Sequence, residues 1–107
     1  MKKLLVISMV VAFFSPIVTG PRAFAKDVSG EELFKKNCSM CHPNGGNIIN
    51  PQFTLQKKDR EAHGVMKAED IIGKMRNPGP GMTRFDKKTI SDKDAKKIAA
   101  YILKTFK

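Results

Sequence analysis

One pentapeptide constrains this chain more than any other feature: Cys38-Ser39-Met40-Cys41-His42. Two thiols three residues apart at the end of a helical segment reach the two vinyl groups of one porphyrin. The thioethers formed there fix the ring and leave the next side chain, His42, beneath the iron. A chain built on C-x-x-C-H must therefore close around a large apolar disc. The expected cofactor is one haem c, covalent through Cys38 and Cys41, with His42 as proximal ligand. Two other chemistries use C-x-x-C. A thioredoxin-like dithiol opens a helix in a βαβ setting, which lowers the thiol pKa; here the motif ends a helix and no strand flanks it. A structural zinc site needs a second C-x-x-C or H-x-x-x-H pair, and His63 is the one histidine left to help.

An iron held by His42 has a second axial position to fill. The candidates are Met40, Met66, Met75, Met82 and His63. Met40 lies inside the attachment motif and cannot reach the far face. Met66 and Met75 border or occupy a helix, where methionine usually fills core space. His63 reads as a solvated helix-end residue. Met82 closes Asn77-Pro78-Gly79-Pro80-Gly81-Met82, a loop that gives a methionine no packing role. Gly79 and Gly81 allow close backbone approach to a ring, and the prolines stiffen the presentation of the thioether. The axial pair expected is His42 and Met82, the ligation associated with electron transfer.

The amino terminus reads as an export signal. Lys2 and Lys3 precede a nearly continuous apolar run from Leu4 to Phe14, and Ala23-Phe24-Ala25 forms an A-x-A cleavage site. The run is too short for a spanning helix, which needs ~20 residues. Residues 1–25 are expected to be a cleaved secretory signal peptide and 26–107 a single haem domain, located in the periplasm, where covalent haem attachment takes place. Neither cysteine is near the cleavage site, so no lipid anchor is expected and the mature chain should not insert stably in a membrane. Cleavage would leave 17 basic against 10 acidic side chains. That excess suits an acidic partner. Nucleic acid is not expected, because no aromatic residues are interleaved with the basic ones.

Four helical segments are readable and no strong strand. Ser29 with Glu32 forms a capping box for a helix expected to run to about Met40. Thr54 is placed as the cap of a short helix from Leu55 to about Ala62, with Gly64 just past its end. A third runs from about Lys67 to Arg76, where Pro78 forbids continuation. Ser91 caps the last, whose Ala95, Ile98, Ala99, Ile102, Leu103 and Phe106 follow helical periodicity.

These residues resemble the small class I monohaem cytochromes c, most closely the c6 type and the c6-like proteins of metal-reducing bacteria. The resemblance spans Ser29 to Phe106. It rests on Gly30, Phe34 and the attachment motif, on Gly45-Gly46-Asn47 and Thr54-Leu55, on the Met82 loop, and on Ala99-Ala100-Tyr101. It implies an all-α class I cytochrome c fold, about four helices around one covalent haem. The first and last helices should cross near Gly30 and Tyr101, with Phe34 against the last. Thr83 departs from the proline that photosynthetic c6 proteins carry after the ligand methionine, which leaves this loop looser.

The expected function is one-electron carriage between redox proteins, acidic ones or other cytochromes, by a monomer with no catalytic residue. Lys35, Lys36, Lys57, Lys58, Lys87 and Lys88 are candidates for a docking face. The alternative is a sensor or enzyme in which a labile Met82 frees the iron for a gas or peroxide.

Overall fold

The computed structural model describes residues 26–107 together with Ala12, residues 15–17 and Gly20. The expected signal peptide, 1–25, otherwise lies outside the described residues. Among the described residues the chain forms four α-helices and no strand: α1 Gly30–Asn37, α2 Lys57–Ala62, α3 Ala68–Arg76 and α4 Asp92–Thr105, with a 3₁₀ turn at Pro43–Gly45. No helix among them is long and apolar enough to cross a membrane.

The capping box predicted for α1 is present: Ser29 Oγ accepts from the Glu32 amide at 3.2 Å, and the Glu32 carboxylate accepts from the Ser29 amide at 3.2 Å. The helix ends three residues earlier than expected. Asn37 Nδ2 donates to the Leu33 carbonyl (2.9 Å) and Ser39 Oγ to the Lys35 carbonyl (2.6 Å). Short polar side chains that capture helix carbonyls compete with continuation of the ladder, so Cys38 to Cys41 form turns rather than a last helical turn.

Helix α2 also differs. Its N-cap is Gln56, and Thr54 sits two residues further back. Thr54 Oγ1 accepts from the Gln56 amide (3.2 Å) and donates to Asp59, fixing the approach to the helix rather than capping it. Gly64 follows the helix with φ +72°, the left-handed conformation that glycine adopts at no steric cost. In α3, Asp70 Oδ2 accepts the Met66 and Lys67 amides, both at 3.0 Å.

Helix α4 is the organising element. Ala95, Ile98, Ala99 and Ile102 are buried, as is Phe106 just beyond it; they meet Leu33 and Phe34 of α1 and Ile71 and Met75 of α3. Each large apolar side chain so buried contributes about 1.5–3 kcal/mol. Helices α1 and α4 touch at Gly30, where a Cβ would stand 2.9 Å from the Lys97 carbonyl carbon and 3.1 Å from Tyr101 Cβ. No larger residue permits that approach. Phe34 packs on Tyr101 (centroids 5.3 Å) and on Phe106 (5.5 Å), the contact the resemblance implied. Ahead of α1, Asp27 pairs with Lys97 (2.6 Å) and Lys93 (3.3 Å) of α4; the two lysines hold its carboxyl below the usual range.

Candidate haem site

The attachment motif leaves α1 as a tight turn. The Cys38 carbonyl accepts from the amides of Cys41 (3.2 Å) and His42 (2.9 Å), which brings both cysteines and the histidine to one end of the helix. The thiols are not joined to each other. Burial pushes the Cys38 thiol up to about 11. A dithiol redox centre needs a lowered thiol pKa, so this environment argues against that reading.

The His42 ring is oriented by its own neighbourhood. Nδ1 lies 2.7 Å from the Gly46 carbonyl oxygen. A carbonyl only accepts, so Nδ1 carries the proton and Nε2 keeps its lone pair for a metal, the orientation seen in metal-ligating histidines. Two left-handed residues, Asn44 (φ 53°) and Gly45 (φ 78°), carry the chain through the turn that sets the Gly46 carbonyl there. Phe106 leaves no room for a side chain at Gly45.

A cavity of about 530 Å³ opens beside this turn, within the ~300–1,000 Å³ span of cofactor sites. Cys38 and His42 of the attachment turn line it, and so do Gly79, Pro80 and Met82 of the proline- and glycine-rich loop. Leu55, Val65, Ile71, Met75, Phe85 and Ile102 supply apolar lining. Cys41 stands one turn on and is half-buried. The loop between the motif and α2 is held by Asn47, whose Oδ1 accepts from the amides of Ile49 (3.0 Å) and Asn50 (2.9 Å) while Nδ2 donates to the Phe53 carbonyl (3.0 Å). Largely apolar walls, a histidine with a free Nε2, an unpaired Cys38 in the wall and an unpaired Cys41 in the same turn fit a covalently attached haem.

Of the five candidates for the second axial position, Met75, Met82 and His63 line the cavity and Met40 and Met66 do not. Met40 is 86% exposed in the attachment turn, and Met66, 64% exposed, lies outside the cavity wall. Met66 is thus not the core filler its sequence position suggested. Met75 is buried in the helical core and also borders the cavity. Met82 is half-buried, preceded by Gly81 at φ +86°. Ile49 Cγ2 lies 3.1 Å from where a Gly81 Cβ would be, so this glycine serves both a left-handed turn and a close contact. Gly79 has open space around it.

Two side chains in and near the site, Arg60 and Arg76, have no counterpart in the sequence reading, and His63 makes a contact that the sequence does not show. His63 is exposed as expected, yet it borders the cavity and stacks on Phe53 (centroids 4.0 Å). Arg60 is 5% exposed; Nε donates to the Leu55 carbonyl (2.8 Å) and an Nη2 hydrogen to the Phe106 carbonyl (3.2 Å). Among the described residues no carboxylate pairs with it. Arg76, at the end of α3, reaches across the segment that follows Met82. No cluster of three or more His, Cys, Asp or Glu side chains among the described residues is arranged to hold a metal ion.

Comparison with known proteins agrees with this geometry. The family model described as cytochrome c oxidase, cbb3-type, subunit III matches residues 25–102. Cytochrome c6 of Nostoc sp. (strain PCC 7120) is 34% identical over 93 residues, covering 87% of this chain and 83% of that protein. Cytochrome c6 of Synechocystis sp. (strain PCC 6803) is 40% identical over 85 residues, covering 78% and 70%. Among solved structures, OmcF, outer membrane cytochrome F from Geobacter sulfurreducens, superposes with a TM-score of 0.72 at 43% identity, covering 74% of this chain and all of that one. Cytochrome c6C from Synechococcus sp. PCC 7002 gives 0.67 at 25% identity, covering 72% and 93%. With its four helices, its C-x-x-C-H turn and these relatives, the chain belongs to the small c6-like monohaem cytochromes c, an all-α family of electron carriers.

Proposed function

We propose that this protein is a periplasmic one-electron carrier, exported by residues 1–25, with a single haem c bound through Cys38 and Cys41 and ligated axially by His42 and Met82. The observation that carries the reading is that His42 and Met82 line one and the same cavity, with the His42 Nδ1 proton committed to the Gly46 carbonyl. The haem supplies a reversible ferric/ferrous couple when bound. Two strong protein ligands leave no open coordination position, so the chain's work is to bind, shield and tune. His42 is held in one tautomer by Gly46; a thioether from Met82 favours the ferrous state and raises the potential. The apolar walls exclude water.

Partners are redox proteins of a respiratory or metal-reduction chain, acidic proteins or other cytochromes, met through basic residues. The six candidate lysines divide in the structure. Lys35, Lys57 and Lys87 pair with Glu31 (2.6 Å), Glu61 (3.9 Å) and Asp92 (3.2 Å). All six are exposed, and Lys36, Lys58 and Lys88 form no ion pair among the described residues. Arg84, two residues after Met82, is also exposed, and it joins Lys88 as a cation near the ligand loop in sequence.

The test is the ligand band. Met82→Ala should abolish the weak methionine-to-Fe(III) charge-transfer absorption and lower the reduction potential, whereas Met66→Ala and Met75→Ala keep the band. Retention of the band in Met82→Ala moves the ligand elsewhere. Rapid binding of carbon monoxide by the reduced wild-type protein at neutral pH would instead favour a sensor or enzyme with a labile methionine.

A further inference from the structure

The segment from Asn77 to Ser91 presents Met82, and its two halves are stiffened differently. Pro78 and Pro80 restrict the approach. Beyond Met82 come Thr83 and Arg84, both exposed and with unrestricted φ. Met82 itself is tied to its own loop only by a long 3.4 Å bond from its amide to the Gly79 carbonyl. What fixes the exit is the last residue of α3. Arg76 Nη1 donates to the carbonyls of Phe85 (3.1 Å) and Ile90 (2.9 Å), and Nη2 to Asp92 Oδ1 (2.9 Å) at the start of α4. The preceding residue adds a backbone bond, from the Phe85 amide to the Met75 carbonyl (2.9 Å).

One planar guanidinium thus spans the strap's exit, its far end and the first turn of the last helix. The Arg76 side chain is only 20% exposed, and its Nε is buried without a hydrogen-bond partner. An orphaned buried donor is costly, and three bonds across a single loop offset it. A lysine offers a point charge in place of this fork and cannot serve both carbonyls and the carboxylate with the same geometry.

We infer that Arg76 is a positioning residue for Met82: a latch that holds the strap closed and so sets how readily the thioether leaves the iron. The inference rests on the reading of Met82 as axial ligand. It gives Arg76 a role in the redox site although the side chain does not border the cavity.

The experiment uses reduced holoprotein and carbon monoxide at saturating concentration, where the binding rate reads opening of the strap. Arg76→Met should speed binding by about tenfold or more, the factor that ~1.4 kcal/mol represents. Arg76→Lys should fall between, and Asp92→Asn, which spares both carbonyl bonds, should change the rate least. Gly30→Ala serves as a destabilised control: it strains the α1–α4 contact and lowers the denaturation midpoint, and it should leave the carbon monoxide rate near that of wild type. An Arg76→Met rate within about twofold of wild type, or a Gly30→Ala rate that rises equally for equal loss of stability, overturns the latch. Should Arg76→Met not accumulate as holoprotein, Arg76→Lys decides, because an unchanged rate there also overturns it. Met82→Ala separates the two ideas. If it binds carbon monoxide no faster than wild type, the ligand assignment fails; if it is much faster while Arg76→Met is not, only the latch fails.

Discussion

Replacing Arg60 by methionine removes the buried guanidinium while keeping much of its length and volume. Two carbonyls lose their donor, Leu55 at 2.8 Å and Phe106 at 3.2 Å, the second just past the end of α4. A hydrogen bond from a charged donor contributes about 1.5–3 kcal/mol, and a buried acceptor left unpaired costs about 1–3 kcal/mol. The short Leu55 bond belongs in the upper part of that range and the longer Phe106 bond at the bottom. Against this stands relief from burying a cation that no carboxylate among the described residues pairs with, which returns part of the loss. The net expectation is a destabilisation of about 2–3 kcal/mol, large beside the ~0.05–0.15 kcal/mol per residue that such domains possess. In a domain of this size each kcal/mol moves Tm by roughly 4–8 °C, so the midpoint should fall by about 10–20 °C. Thermal unfolding of oxidised holoprotein, followed by far-UV circular dichroism, reads it directly. Arg60→Lys should recover part of the loss through its charge. A fall of less than about 4 °C in Arg60→Met would show that both carbonyls find other partners and that the buried arginine is dispensable to the fold.

Two further outcomes follow from the site and its surface. Gly81→Ala places a Cβ at φ +86° and 3.1 Å from Ile49; a non-glycine residue in the left-handed region costs about 1–2 kcal/mol, so the methionine charge-transfer band should weaken at temperatures where wild type retains it, while Gly79→Ala, with open space around it, should change little. Electron transfer to an acidic partner should slow steeply as ionic strength rises, since steering is screened over ~8 Å at physiological salt. Lys88→Glu with Arg84→Glu should lower the low-salt rate more than Lys57→Glu with Lys58→Glu; equal rates at all salt concentrations would assign the basic charge to solubility alone.

What the sequence reveals here is what lies close together in it. The attachment pentapeptide, the Pro/Gly-rich loop ending in Met82, the Ser29–Glu32 box and the periodicity of α4 each sit within a few residues. Local stereochemistry produces the box and the helix, and the structure has both where expected. The end of α1 is not legible, because Asn37 and Ser39 compete for helix carbonyls, an outcome decided by side-chain rotamers rather than propensity. The two arginines are not legible for a different reason. A cation in a polar helical segment reads as solvated, and nothing local shows otherwise. Arg60 is buried because it meets a carbonyl 46 residues away, and Arg76 because its acceptors lie 9 and 14 residues on. Backbone carbonyls leave no signature in a sequence, so such partners become visible only when the chain has folded. The sequence puts His63 at a helix end, where the structure has it, but its stacking on Phe53 depends on the path of the loop that Asn47 holds. The division of the exposed lysines into paired and unpaired ones is equally a property of the folded surface.

The central claim is that Cys38 and Cys41 hold a haem covalently. Mature protein made in a host with haem-attachment machinery should be extracted with acidified acetone and weighed by mass spectrometry. The account predicts that the pigment stays with the polypeptide and that its mass exceeds that of the chain by one haem. A colourless polypeptide with two free thiols and the mass of the bare chain would contradict it.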